Sequence, residues 1–130
     1  MKNKKRIRGA MLVFALAVTV VLSMAQAHDY NDGLQAARTG DYDTAVMKWK
    51  PLAEQGDAMA QFNMALMYHR GLGVGIDESR AVAWYKESAN NGYVKAQEFL
   101  AAAYQEGWFG LSQDQQKADY WFKRSEDQSL

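Results

Sequence analysis

The sequence predicts an all-α fold, a short right-handed α-solenoid of about three antiparallel helix pairs. Three observations carry that expectation. A set of residues recurs along the chain at an offset of 36 or 37. Within each copy the apolar residues fall three and four apart, the spacing of one helical face. Glycine and aspartate separate the segments, as stop and start signals do. No segment shows the alternation of a strand.

The repeat is taken first, because it decides the fold. Ala60-Gln61 aligns with Ala96-Gln97, and at the same offset of 36 Ala65 meets Ala101, Tyr68 meets Tyr104 and Gly71 meets Gly107. One extra residue then enters. At an offset of 37, Asp77 meets Asp114, Ala81 meets Ala118, Trp84 meets Trp121 and Tyr85 meets Phe122. An earlier half-copy pairs Ala45 with Ala81, Trp49 with Tyr85, Ala53 with Ala89 and Gly56 with Gly92.

Each copy reads as two helices. Ala60, Met64, Ala65 and Tyr68 share one face, and the glycines from Gly71 to Gly75 stop that helix. Asp77 is placed to cap the next helix through its carboxylate. Ala81, Trp84, Tyr85, Ser88 and Ala89 form the second face, which Gly92 closes as a C-terminal glycine. The first unit is less regular. A short helix is expected over residues 31–38, a turn at Gly40-Asp41, and a partner helix over 43–55. Pro51 lies inside that partner and predicts a kink or break near Met47 to Pro51, because proline removes a backbone donor.

The string from Ala53 to Tyr93 resembles a Sel-1-like repeat, a relative of the tetratricopeptide repeat. The matching residues are Ala60, Met64, Ala65, Tyr68, Gly71, Gly73, Val74, Asp77, Ala81, Trp84, Tyr85, Ala89 and Gly92. The expected units are a tetratricopeptide-like first pair over 28–57 and Sel-1-like repeats over 58–93 and 94–130. The last departs from the pattern in its loop, where Trp108-Phe109-Gly110-Leu111 stands, and ends on Glu126 where the family prefers alanine. A polar end suits a terminal repeat.

Residues 1–27 read as a secretory signal peptide. Lys2, Lys4, Lys5, Arg6 and Arg8 form a basic head, Ala10 to Leu22 is an uncharged apolar stretch, and Ala25 and Ala27 fit the small-residue cleavage site. The stretch is short of the ~20 residues that span a bilayer. Cleavage after Ala27 is therefore expected, with the mature protein periplasmic or secreted and without a membrane anchor. The rest of the chain has ten basic and fifteen acidic side chains, a formal charge of −5. That disfavours nucleic acid, which needs basic residues to displace counterions. With no cysteine, disulfides and thiolate chemistry are ruled out, so packing alone must hold the domain.

Little in the sequence suggests catalysis. Gly71, Gly73 and Gly75 follow a helix rather than the strand a phosphate loop requires. Asp77-Glu78 reads as a helix start. His28 would become the first mature residue and offers an amine and an imidazole for copper, but only His69 could join it. No catalytic residue, metal or cofactor is expected. Some secreted Sel-1-like proteins are linked to β-lactam binding or cleavage. Those are cysteine-rich, and this chain also lacks a Ser-x-x-Lys motif.

The resemblance implies a protein-interaction module that binds a peptide or protein in a groove lined by the first helix of each pair. Counting from Ala65 places Met59, Phe62, Leu66 and His69 on that groove. Tyr30, Leu34 and Ala37 come before them; Lys95, Glu98, Ala102 and Gln105 follow. Phe62 and Leu66 could instead pack between repeats. The Trp108-Phe109 loop is a second candidate surface, or it folds back onto the last pair. The other functional readings are an accessory or assembly factor for an envelope or cell-wall complex, and a hydrolase of cell-wall material or β-lactams.

Overall fold

Four helix starts in this chain use the same device. The carboxylates of Asp41, Asp57, Asp77 and Asp114 accept a hydrogen bond from the backbone N–H three residues on, at 2.8–3.1 Å. Each satisfies a donor that the first helical turn leaves unpaired. Together with the glycines at the helix ends they cut the chain into six helices, in a computed structural model that describes residues 2–128, with side chains from residue 15 onward. They are α1 (Lys2–Arg38), α2 (Tyr42–Glu54), α3 (Ala58–Arg70), α4 (Glu78–Asn90), α5 (Val94–Glu106) and α6 (Gln115–Asp127). No strand occurs among the described residues. The architecture is an all-α repeat solenoid, and the main packing runs between chain neighbours from α1 to α6.

The first unit differs from expectation in two ways. The segment 31–38 is not a short helix but the end of α1, which is 37 residues long. No proline interrupts it, and Ala, Leu, Met and Gln supply helix propensity through the join. The expected break at Pro51 is also absent, since α2 is continuous to Glu54. Pro51 lies near the end of the helix, and both it and Met47 are exposed. Water can therefore serve the Met47 carbonyl that proline leaves without an N–H.

Two apolar clusters form the core. One gathers Ala36, Ala45, Trp49, Leu52, Ala53, Ala60, Met64 and Met67. The other gathers Ala65, Ala81, Tyr85, Ala89, Ala96, Leu100, Tyr104, Ala118 and Trp121. Leu66, Tyr68 and Trp84 pack against both and join them. Small residues let the helix axes approach, and the aromatic rings fill the gaps between pairs. Gly33 takes this furthest. A Cβ there would lie 2.5 Å from Trp49 Nε1, so the indole rests on bare backbone. That indole donates to the Tyr30 carbonyl at 3.1 Å. Burial of side chains of this size contributes roughly 1.5–3 kcal/mol each.

Buried polar groups tie consecutive pairs. Gln61 Nε2 donates to the Ala53 carbonyl, and Gln97 Nε2 to the Ala89 carbonyl, both at 3.0 Å. The loops close alike in both repeats. The Asp77 N–H donates to the Tyr68 carbonyl at 3.0 Å, and the Asp114 N–H to the Tyr104 carbonyl at 2.9 Å. The extra residue of the second loop is therefore absorbed between equivalent anchors.

Candidate binding face on the first helices

The face built from α1, α3 and α5 begins at Tyr30. Its ring lies 6.2 Å from Trp49, and its hydroxyl accepts from Asn63 Nδ2 at 3.1 Å. Burial pushes its ionisation above the ordinary tyrosine range; the Asn63 hydrogen bond opposes this, and Tyr93, Asp57 and Lys95 bear on it electrostatically. Residues from three first helices thus share one neighbourhood. Leu34 and Ala37 lie half-buried against the N-terminal core cluster.

Further along α3, Phe62 is half-buried and meets Tyr93 at 5.1 Å and Tyr85 at 5.5 Å, edge to face in both cases. Such pairs add ~0.5–1.5 kcal/mol beyond burial. Leu66 is half-buried where the two core clusters meet. Met59 projects to solvent, 43% exposed. Lys95 and Glu98 are both exposed on α5, Gln105 is exposed near its end, and Ala102 is half-buried.

His69, at the end of α3, is the centre of an aromatic cluster. Its Nδ1 lies 3.3 Å from the Tyr85 hydroxyl. Its ring stands 4.4 Å from Phe109, near perpendicular, and 6.4 Å from Phe99. Phe99 in turn stacks on Tyr85 at 3.8 Å. Desolvation holds the Tyr85 phenol neutral, its pKa pushed up to about 12. The second candidate surface divides. Phe109 folds onto His69 and Phe99, while Trp108 stays 48% exposed.

Counting by the repeat offset points to Glu98 as the partner of Phe62, and so passes over Phe99. The available signal is the next register position. Asn63 and Phe99 are equivalent at an offset of 36, and both reach back to the preceding unit, Asn63 to Tyr30 and Phe99 to Tyr85. Phe109 sits in the loop with the insertion, where the offset changes.

The charged groups form surface pairs. Lys48 bonds Asp29 at 2.8 Å and approaches Asp32 at 3.6 Å; this holds the Asp29 carboxyl below the usual range. His28 lies 3.6 Å from Asp32. Among the described residues, no group of three or more His, Asp or Glu side chains is placed to hold a metal ion. None of the helices among these residues is long and apolar enough to cross a membrane.

Residues 58–93 and 94–130 each match the Sel1 repeat, over more than half of the chain. An F-box protein of Arabidopsis thaliana is 39% identical over 75 residues, 58% of this chain and 21% of that protein. The crystal structure of a Sel1 repeat protein from Oxalobacter formigenes superposes with a TM-score of 0.60 at 35% identity, covering 66% of this chain and 65% of that one. A protective antigen of uropathogenic Escherichia coli displaying an SLR fold superposes with a TM-score of 0.71 at 30% identity, covering 81% of this chain and 23% of that one. This chain therefore spans about a fifth of the plant protein and of order two thirds and a quarter of the two bacterial ones. The protein belongs to the Sel1 repeat family, whose members are generally non-catalytic protein-interaction modules.

Proposed function

We propose that this protein is an exported adaptor of the bacterial envelope that binds a peptide or protein partner on the face formed by α1, α3 and α5. The observation that carries the reading is the half-buried line of Tyr30, Phe62, Tyr93, His69 and Phe99, which leaves ring surface open beside exposed Met59 and Lys95. Adaptable apolar contacts with a polar rim are what a protein interface uses. Export is supported by the basic head, the apolar stretch and the small-residue site of residues 2–27. It is further supported by the exposure of Leu16, Val18, Val20, Val21 and Leu22, none of which belongs to either core cluster.

Two measurements test this. A photo-crosslinking amino acid at Met59, on the face, is compared in intact cells with one at Tyr120 on α6. A discrete adduct at Met59 and none at Tyr120 is the expected result; the same adducts at both positions would discard the face. For export, the mass of the protein from the envelope fraction is expected to place its N-terminus at His28. A protein that keeps Met1 and remains in the cytoplasm would overturn that half.

A further inference from the structure

The two repeat loops part after their shared glycine, Gly71 and Gly107, where the second takes one extra residue. Beyond that glycine the first loop has one left-handed residue, Gly73, and the second has two in succession, Phe109 and Gly110. Gly73 has φ of +66° and Phe109 has φ of +56°. This is the left-handed region, which glycine enters freely and a bulky side chain enters at a cost. Among the described residues Phe109 is the one non-glycine there. Strain of this kind persists only where the surroundings hold it, and it gathers at binding and switching segments.

The consequence shows in how each loop meets the unit before it. A Cβ at Gly73 would lie 2.5 Å from the Tyr42 carbonyl oxygen, so the first loop rests directly on the start of α2. The second loop instead carries the Phe109 side chain. Its ring turns onto His69 and Phe99, and beside it a cleft of about 590 Å³ opens against the start of α4. Val82, Phe109 and Leu111 give that cleft apolar walls, with Glu78, Ser79 and Lys86 at its polar positions.

We infer that Phe109 is an internal occupant of an aromatic-side-chain pocket, and that the partner is an extended segment presenting a phenylalanine-like ring that displaces it. The pocket consists of His69, Phe99 and the Tyr85 ring stacked beneath Phe99. The cleft along α4 accommodates the segment's backbone. Phe109 itself shows what chemistry the pocket accepts, a ring set nearly perpendicular to the imidazole. Glycines 107 and 110, at φ of +74° and +71°, flank Trp108 and Phe109. This inference rests on the reading of the protein as a binding module and names the partner's chemistry.

The test uses F109G. It keeps the left-handed backbone without strain and empties the pocket. The probe is the blocked tripeptide acetyl-Gly-Phe-Gly-amide, titrated by NMR against the full chain, with acetyl-Gly-Ala-Gly-amide as control. Removing the internal competitor is expected to tighten the Phe peptide roughly tenfold over wild type. F109L, a smaller occupant, gives an intermediate gain and serves if F109G does not fold. H69A added to either variant removes the gain. Equal affinities for wild type and the folded Phe109 variants, or no preference for Phe over Ala, would overturn the inference. In that event, adducts retained at Met59 would leave the binding-module reading standing. Their loss would show that the broader reading had failed.

Discussion

The repeat built on α3 and α4 and the one built on α5 and α6 carry the same residues in unequal surroundings. Trp49, Tyr85 and Phe122 occupy one position in three successive second helices. Trp49 and Tyr85 are 2% and 0% exposed, covered by α3 and α5, whereas Phe122 is 56% exposed. The alanine that follows them changes in step. Ala53 and Ala89 are buried, and the equivalent Glu126 lies in solvent. A ring in this position is therefore core where a following helix pair packs on it, as on Trp49 and Tyr85. Stability in such a stack depends on the interfaces between neighbours, not on the repeat itself.

That contrast is broken most sharply by Tyr85→Ala. It removes a fully buried ring that touches Phe62, Phe99 and the His69 side chain. The expected cost is about 3–5 kcal/mol, read as a lower urea midpoint at an unchanged slope. Phe122→Ala, at the same position one repeat on, is expected to cost within about 0.5 kcal/mol. Comparable losses at the two sites would mean that Phe122 is covered in solution. High pH gives a second measure of the buried ring. Its phenol ionises at about 12 when folded, against 10.0 for the ordinary group. The unfolded chain releases that proton first, so stability is expected to fall between pH 10 and 12, by roughly 2 kcal/mol from this residue. Tyr85→Phe should flatten that part of the pH profile; an equally steep fall in the variant would discard the assignment.

The fold was legible because packing and the repeat make the same demand. Small residues at Ala60, Ala65, Ala81 and Ala89 with rings at Trp84 and Tyr85 can satisfy only close-packed helix pairs, and the caps at Asp77 and Gly71 appear where they were expected. The site was less legible, for two reasons. Repeat counting says which positions correspond, not how much of each side chain the next pair leaves uncovered. Phe62 and Leu66 turn out half-buried, with contacts in the core as well as open surface. Moreover, the aromatic cluster at His69 depends on Phe109, whose conformation is set by a loop with an insertion. No helical periodicity extends into such a segment.

A finer comparison lies in the two buried glutamines. Asn91, at the end of α4, donates to Gln61 Oε1 at 2.9 Å, so both ends of that amide are satisfied. The equivalent acceptor, Gln97 Oε1, is buried without a protein partner. The residue that corresponds to Asn91 is Gln128, with the same C-terminal cap position and similar backbone angles. Its amide instead lies over Gly92, 3.7–3.9 Å from where a Cβ on that glycine would be. One extra methylene separates a side chain that reaches the buried oxygen from one that passes it. Asn91→Ala should leave Gln61 as Gln97 now is, at a cost of about 1–3 kcal/mol. Gln128→Asn should do the reverse, with a gain of about 1 kcal/mol, the net contribution of one hydrogen bond. Both are read by chemical denaturation, and slowed exchange of the side-chain amide protons at position 128, the donors to Gln97 Oε1, would mark the new bond. If Gln128→Asn leaves both stability and exchange unchanged, the donor at this position does not reach Gln97, and the two repeats differ here by more than one methylene.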